Sequence, residues 1–175
     1  MTTTDRRVRI IEAVWLLIAT EGIDAVSVRR VAALAEVSIG AVQHHFATRD
    51  DLVRGSAEAM VTSAEGQYVE EVGDATPATE RLRFAVAHVI PRSRQARVGT
   101  TVWLAYVAKS VSDPAIAAVL AGAKRGQEDE VTTLLDGDRA GARHLIALAD
   151  GLATRVLLGD LTVEEADTAL EAALT

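Results

Sequence analysis

The sequence predicts an all-α protein, and three observations support this fold class. Apolar residues recur at spacings of three and four along nearly the whole chain, which is the periodicity of helices that bury one face. Alternating strand patterns are missing, and the one Asp-Gly pair, Asp136-Gly137, lies between helical stretches. The chain has 175 residues, 49% of them hydrophobic, so it can bury a core. The stop and start signals predict about nine helices.

Signals for three short helices occupy the first part of the chain. The first helix has one apolar face and ends at Gly22, a typical stop. Ser27 is a suitable N-cap for the second helix, because its hydroxyl accepts a hydrogen bond from an orphan backbone amide. Ser38 caps a third helix in the same way, with Val42 and Phe46 spaced four apart on its buried side.

A longer helix and a bundle are predicted for the rest of the chain. A capping box at Thr48 opens a helix that continues to about Val72. Turns with proline follow at 73–77 and 112–114, and a second capping box begins at Thr162. These signals place the last helices at about 77–90, 93–110, 114–135, 139–158 and 162–173.

Charge and composition exclude several classes of protein. The chain lacks cysteine, so it forms no disulfide or thiolate metal site, and the cytoplasm is the expected compartment. Glu12 interrupts the apolar stretch of the N-terminus, which therefore does not resemble a signal peptide. No apolar window reaches the roughly 18 residues of a membrane span. We expect a soluble protein without a membrane partner.

The net charge of −7 is concentrated outside the N-terminal part. Residues 1–60 carry a net charge of −1, and the remainder carries −6. Arg6, Arg7 and Arg9 precede the first apolar stripe, where they suit either a DNA-binding arm or a solvated helix end. The acidic total therefore does not exclude a polyanionic partner for residues 1–60.

The third short helix has the design of a DNA-reading helix. Two short helices joined by a tight turn form the unit that enters a major groove with the outer surface of its second helix. Here that surface carries Ser38, Ile39 and three residues with distinct roles. Gly40 has no side chain to hold the backbone away from DNA, Gln43 can pair bidentately with an adenine edge, and His44 can donate to a base or a phosphate.

These segments together resemble the TetR family of transcriptional regulators. The residues that carry the resemblance are Glu21-Gly22, Ser27-Val28-Arg29-Arg30-Val31-Ala32, Ala35-Glu36-Val37-Ser38, Gly40-Ala41-Val42-Gln43-His44-His45-Phe46 and Thr48-Arg49-Asp50-Asp51-Leu52. They cover about residues 8–55 in order and without gaps. The resemblance implies double-stranded operator DNA as a partner and adds His45 to the DNA surface.

Two arginines are expected to hold phosphates. Arg29 lies in the first turn of the second helix, and Arg49 stands where the family commonly has a phosphate-binding lysine. The residues assigned to DNA binding are therefore Ser27, Arg29, Ser38, Ile39, Gly40, Gln43, His44, His45 and Arg49.

Two residues depart from the family pattern. Glu36 replaces a usual turn glycine, which predicts a non-glycine residue at positive φ at a cost of roughly 1–2 kcal/mol. Gln43 replaces a usual tyrosine, so the operator preference is expected to differ from that of better-known relatives.

The resemblance implies a DNA-binding domain over 1–48 and a domain for ligand binding and dimerisation over 49–175. The helix at 139–158 is apolar on two faces, and the last helix supplies a similar stripe. We expect these two helices to form a four-helix interface in a homodimer. Two subunits then present their reading helices about 34 Å apart to a palindromic operator.

The resemblance also implies a cavity for a small-molecule effector within the fourth to seventh helices. The segment from Asp150 to Asp160 resembles the branch of betaine and choline regulators. Aromatic residues make up only 3% of the chain. The candidate ligand-binding residues are Phe84, His88, Trp103 and Tyr106, with plain core packing as the alternative. Abundant alanine around them predicts a largely apolar effector.

Two other functions are weighed against a ligand-responsive repressor. A helical enzyme or metal protein would need a suitable spacing of its histidines, but no His-Glu-x-x-His or Glu-x-x-His pair is present. A phosphate loop and a serine elbow are also missing. We therefore assign no catalytic residue, metal ligand or cofactor. A helical interaction module that has lost operator binding is the second alternative, favoured by Glu36 and Gln43.

Overall fold

The computed structural model describes residues 3–73 and 76–174, and within these ranges it is helical without any strand. The described helices are α1 (Thr3–Glu21), α2 (Val28–Leu34), α3 (Ile39–His45), α4 (Arg49–Glu71), α5 (Ala78–Ala87), α6 (Arg94–Ser110), α7 (Pro114–Leu134), α8 (Arg139–Leu158) and α9 (Val163–Leu174). A single 3-10 turn, Ile23–Ala25, follows α1. The predicted fold class is confirmed. Residues 74 and 75 of the predicted turn at 73–77 lie outside the described ranges.

The predicted N-caps are formed as expected. The Ser27 hydroxyl oxygen accepts a hydrogen bond from the backbone amide of Arg30 at 3.3 Å, and that of Ser38 accepts one from Ala41 at 3.0 Å. The Thr48 hydroxyl accepts from the amide of Asp51 at 3.0 Å in a reciprocal capping box. A second box joins Thr162 and Glu165. Each cap satisfies amides that the first helical turn leaves unpaired.

The tight turn between α2 and α3 has the predicted backbone. Glu36 has a φ of 54°, in the left-handed region that usually favours glycine. The amide of Val37 donates to the carbonyl of Ala32 at 3.0 Å, which closes the end of α2. The Glu36 carboxylate also accepts from the Arg9 guanidinium at 3.0 Å. The acidic side chain therefore ties the turn to α1.

The chain divides into two compact units. Unit 1 runs to Ser63 and adds Thr101–Leu120, and unit 2 consists of Ala64–Thr100 and the residues from Ala121 onwards. Unit 1 has a core of fully buried aliphatic side chains that includes Ile10, Val14, Val31, Val42 and Leu52. The predicted boundary at residue 48, between a DNA-binding domain and a domain for ligand binding and dimerisation, stays a prediction.

The core of unit 2 is built around α8. Leu145, Ile146, Ala153 and Val156 are each at most 8% exposed, so both apolar faces of α8 are buried within one chain. α5 and α9 contact α8, and Val131 of α7 belongs to the same core cluster. The predicted four-helix interface with a second copy stays a prediction. The pattern shows that a helix is buried on two sides, but not which elements cover it.

The exposed residues of α8 and α9 include charged ones, such as Arg143, Arg155 and Glu171, and a set of small or apolar ones. We call the second set the small-residue face, and it consists of Ala147, Gly151, Leu158, Ala169, Ala172 and Ala173. None of the described helices is both long and apolar enough to cross a membrane.

Candidate functional site

The third helix is held in place from its inner side. Val42 is fully buried and Phe46 is 5% exposed, as predicted. Gly55 of α4 lies so close to the Phe46 ring that a Cβ at this position would collide with it. The Arg7 guanidinium lies 5.7 Å from the ring centroid, within reach of a cation–π interaction. The orientation of α3 is therefore fixed by contacts with α1 and α4.

The outer side of α3 carries the residues predicted to meet DNA. Ser38, Gly40, Gln43 and His44 are exposed, and Ile39 is 48% exposed although its side chain is apolar. They share the surface opposite Val42, so the structure brings together the side chains that the sequence assigned to base contacts. A row of small and hydrogen-bonding groups on a rigid short helix suits insertion into a major groove.

His45 at the end of α3 is half-buried. Desolvation, and then the positive charges of His44, Arg7 and Arg6, lower the pKa of its imidazole below the usual value. Its Nε2 atom is buried without a hydrogen-bond partner among the described residues. The structure thus buries part of the His45 side chain, whereas His44 is exposed on the outer side of α3.

The phosphate-contact candidates Arg29 and Arg49 differ in the contacts that their side chains make within the protein. Arg29 in the first turn of α2 is exposed, whereas Ser27 beside it is half-buried. Arg49 donates from Nε to the carbonyl of Val26 at 2.8 Å and from Nη2 to that of Ile23 at 3.0 Å. The guanidinium of Arg49 therefore fixes the start of α4 to the turn before α2.

A buried hydrogen-bond chain joins three helices within unit 1. The Ser56 hydroxyl donates to the carbonyl of Val53 at 2.8 Å and lies 2.7 Å from the Tyr106 hydroxyl, which is therefore the donor to Ser56. Trp15 Nε1 donates to the carbonyl of Ser56 at 3.1 Å. Because Tyr106 is fully buried, desolvation raises its pKa far above the usual range. The chain connects α1, α4 and α6.

The four candidate ligand residues are divided between the units. Trp103, half-buried, and Tyr106 belong to unit 1, and the internal partner of Tyr106 fits the core-packing alternative. Phe84 and His88 belong to unit 2, where their rings stack with centroids 6.3 Å apart. Tyr68 of α4 extends this row, with its ring 5.8 Å from that of Phe84.

His88 follows the last residue of α5 and is exposed at the surface. Its side chain is open to solvent, yet desolvation is the main cause that lowers its pKa, with the charge of Lys124 acting in the same direction. Nδ1 lies 3.1 Å from the carbonyl oxygen of Ala85. Since a carbonyl only accepts, the neutral ring carries its proton on Nδ1 and offers Nε2 as an acceptor.

Sequence reasoning missed a set of polar residues beside this aromatic row. Lys124 donates to Asp150 at 2.7 Å and to Gln127 at 3.1 Å. These contacts join α7 to α8 across 26 positions of sequence. The only signal in the sequence is the spacing of Lys124, Gln127 and Glu130, which places them on one side of α7.

Glu130 belongs to a second polar group on the same side of α7. It accepts hydrogen bonds from the Tyr68 hydroxyl at 2.6 Å and from the Arg81 guanidinium at 2.9 Å. The bond from Tyr68 is the main cause that lowers the pKa of Glu130, while desolvation and that same bond raise the pKa of Tyr68. The carboxylate therefore stays ionised close to an aromatic ring.

Comparison with known families identifies both parts of the chain. Residues 10–55 match a family described as bacterial regulatory proteins, tetR family. Residues 78–175 match a family described as the C-terminal part of BetI-type transcriptional repressors. The HTH-type transcriptional regulator PksA of Bacillus subtilis (strain 168) is 27% identical over 172 residues, which span 91% of this chain and 82% of that protein.

Solved structures of transcriptional regulators resemble this chain over nearly its full length. A transcriptional regulator from Rhodococcus sp. Rha1 superposes with a TM-score of 0.86 at 25% identity, over 96% of this chain and 93% of the other. A regulator from Saccharomonospora viridis, solved in complex with choline, superposes with a TM-score of 0.85 at 26% identity. That match covers 97% of this chain and 95% of the other.

Proposed function

The chain belongs to the TetR family of transcriptional regulators, and from this premise we propose that it is a dimeric repressor that binds a palindromic operator and is released by a small effector. The observation that carries the proposal is the exposed outer surface of α3, held rigid by the buried Val42 and Phe46. Its site of action would be cytoplasmic DNA.

On the operator, the roles of the side chains follow from their placement. Gln43 and His44 are exposed on the outer side of α3 and would read base edges in the major groove. Gly40 adds no side chain that would hold the backbone away. Arg29, exposed at the start of α2, would hold a phosphate and set the register of the helix without reading sequence.

A second copy of the chain would dock on the small-residue face. The side chains of Ala147, Ala169 and Ala173 are exposed and short, and Gly151 has none, so two helix pairs can approach closely around a two-fold axis. A Cβ added at Gly151 would meet no atom within 4 Å of the same chain. A larger residue at Gly151 would therefore leave the single chain intact but obstruct the partner.

The effector would bind beside the aromatic row of unit 2. The row offers the faces of Tyr68, Phe84 and His88 and the free acceptor Nε2, and the carboxylate of Asp150 lies nearby on α8. These groups favour a small molecule with an apolar body and a positively charged or hydrogen-bond-donating group. Choline, bound by the relative from Saccharomonospora viridis, is the first probe to test.

The experiment combines DNA binding with a matched pair of glycine substitutions. The protein is titrated onto its own upstream DNA over a salt series, and its mass is measured by light scattering. We expect sequence-preferring binding by a dimer that weakens as salt rises. Gly151→Glu should give a folded monomer with much weaker binding, whereas Gly126→Glu, at an exposed glycine of α7, should change neither property.

Two results would overturn the proposal. Binding without sequence preference would leave an interaction module as the better explanation of the fold. A wild-type chain that stays monomeric at micromolar concentration would remove the palindromic mode of binding. If choline does not weaken operator binding while DNA binding itself is specific, the proposed effector class is wrong and the repressor function stands.

A further inference from the structure

A chain of hydrogen bonds links α8 to the aromatic row within unit 2. Lys124 Nζ donates to Oδ1 of Asp150 at 2.7 Å and to Oε1 of Gln127 at 3.1 Å. Gln127 Nε2 in turn donates to the carbonyl of Ala85 at 2.8 Å, and Nδ1 of His88 lies 3.1 Å from that same carbonyl oxygen. The ammonium of Lys124 is therefore connected to the last ring of the row through one amide and one carbonyl group.

Both charges of this ion pair lie near the aromatic row and are open to solvent. Desolvation is the main cause that lowers the pKa of His88; among the smaller causes, the charge of Lys124 lowers it and the charge of Asp150 raises it. Such effects require that both charged groups lie near the imidazole. The side chains of Lys124 and Asp150 are 30% and 41% exposed. A molecule that lies against the row can therefore reach both members of the pair.

The pair is of a kind that exchanges partners easily. An ion pair between partly exposed groups contributes little to stability, because both charges are well hydrated when they separate. Lysine carries its charge on a flexible stem, so its ammonium can leave a carboxylate without a movement of the backbone. Arg83 is the contrasting case, since its Nε and Nη2 atoms donate to both carboxylate oxygens of Glu171 in a fixed fork. Lys124 is therefore better suited than Arg83 to giving up its partner.

Gln127 offers the ammonium a second position. The amide nitrogen of Gln127 is bound to the carbonyl of Ala85, so its amide oxygen is the atom that accepts from Lys124. When another cation takes Asp150, Lys124 keeps the hydrogen bond to Gln127. The exchange therefore leaves the displaced charge with an acceptor.

The pair also determines which cations the site accepts. While Lys124 neutralises Asp150, a small cation such as ammonium can only replace a tethered charge by a free one, which loses the advantage of the tether. A cation with an apolar body gains in addition the contact with Tyr68 and Phe84 and the cation–π attraction of their faces. The apolar body therefore supplies the free energy that displaces the lysine.

We infer that Lys124 is an internal competitor of the effector: its ammonium holds the carboxylate of Asp150 until a cation with an apolar body displaces it to Gln127. The inference rests on the proposed effector site beside the aromatic row. It adds to that site a residue that sets specificity, because Lys124 excludes cations that offer Asp150 a charge and nothing else.

The test titrates two matched probes into the full chain by calorimetry. Phenethylammonium and phenethyl alcohol have nearly the same shape and differ by one charge. Lys124→Met removes the competing charge, so the ammonium probe should bind roughly tenfold tighter than to the wild type, and the alcohol less than about twofold tighter. Lys124→Met/Asp150→Asn should lose this gain, because the carboxylate that pairs with the probe is gone.

Lys109→Met is the matched control. Lys109 of α6 is the one other lysine in the sequence and belongs to unit 1, so this substitution removes the same charge outside unit 2. The affinity of Lys109→Met for both probes should equal that of the wild type. Circular dichroism should show the same helical content in every variant.

A second measurement follows the lysine ammonium groups directly. Reductive methylation with isotopically labelled formaldehyde keeps their positive charge and makes them visible by NMR, and Lys124→Met and Lys109→Met assign the signals. Phenethylammonium should shift the Lys124 signal toward that of a solvated lysine, because the carboxylate partner is lost. The Lys109 signal should stay in place, and phenethyl alcohol should move neither signal.

Several results would overturn the inference. Equal affinity of the wild type and Lys124→Met for the ammonium probe contradicts it, as does binding of this probe that leaves the Lys124 signal unchanged. An equal gain for both probes shows that Lys124 only obstructs the site, and contradicts it as well. If neither probe binds any variant, the proposed effector site is wrong and the inference falls with it. Operator binding by the wild type without any probe then decides separately whether the repressor function stands.

Discussion

The two units differ in how their functional residues are assembled. In unit 1, the residues that shape the DNA-reading surface lie close together in the sequence, and each is fixed by a cap, a turn or a helical spacing between Ser27 and Gly55. In unit 2, the polar groups around the aromatic row come from separate helices, as the pair Tyr68 and Glu130 shows. Local chemistry therefore defines the proposed DNA-binding surface, whereas tertiary packing defines the proposed effector region.

The two phenylalanines of the chain provide the largest test of this difference. Phe46 in unit 1 is 5% exposed and Phe84 in unit 2 is half-buried. Phe46→Ala should lower the free energy of unfolding by about 3–5 kcal/mol, because it empties the space between α3 and α4. Phe84→Ala should cost less than about 2 kcal/mol and weaken effector binding instead. Urea unfolding of both variants measures the two losses in the free energy of unfolding. Equal losses would contradict the difference between the two units.

The buried hydrogen-bond chain of unit 1 should show the next largest effect. Ser56→Ala leaves the buried Tyr106 hydroxyl without its acceptor, which should cost about 1–3 kcal/mol. Tyr106→Phe removes the donor while Ser56 keeps its bond to Val53, so it should cost about 1 kcal/mol. The double variant should cost less than the sum of the single variants. Additive costs in denaturant unfolding would show that the two hydroxyls are not coupled.

The N-cap of the DNA-reading helix should have a moderate effect on stability and a larger one on function. Ser38→Ala removes the acceptor for the amide of Ala41 and should cost about 1 kcal/mol. Because α3 is short, its fraying should also lower operator affinity. Ser63→Ala, an exposed position in α4, is the control and should change neither property. Thermal unfolding and gel shifts of the two variants decide whether the Ser38 cap contributes to stability and to operator affinity.

The ion pair between Arg54 and Asp113 in unit 1 should produce the smallest effect, a change in the stability of the protein at acid pH. Burial alone would raise the pKa of Asp113, but hydrogen bonds from Arg54 and from the α7 backbone outweigh burial and lower it. The folded carboxylate therefore stabilises the protein above its ordinary pKa of about 4, and this stabilisation is lost as the pH falls through the lower folded value.

Asp113→Asn tests that effect in thermal unfolding from pH 7 to pH 3. The variant should unfold at a lower temperature than the wild type at pH 7, and the difference should shrink below about pH 4. Asp136→Asn, at an exposed turn position, should follow the wild type throughout. A difference that stays constant down to pH 3 would show that the Asp113 charge does not stabilise the fold.

Much of the fold was predictable because its signals are local. The caps at Ser27, Ser38 and Thr48 and the positive φ of Glu36 were all predicted from neighbouring residues and are confirmed. The resemblance to the TetR family, carried by the same segment, is confirmed by the match over residues 10–55. Such signals act within one helical turn, so one sequence suffices to recognise them.

The remaining features depend on partners that a sequence does not specify. The two apolar faces of α8 predicted burial but not the helices that provide it, and the pairing of Lys124 with Asp150 left no local trace. Arg49 matched a phosphate-binding position by type, yet its guanidinium also contacts the carbonyls of Ile23 and Val26. Long side chains reach several partners, and only the packed structure selects among them.

Base discrimination by Gln43 is the most direct test of the proposal that α3 reads the operator. Fluorescence anisotropy would compare the operator with a set of duplexes that each carry one substituted base pair in both half-sites. We predict that Gln43→Ala loses about 1–3 kcal/mol of discrimination at one position per half-site, whereas Arg29→Ala weakens binding to every duplex alike. If Gln43→Ala binds all duplexes as the wild type does, α3 does not read the operator through Gln43 and the account fails.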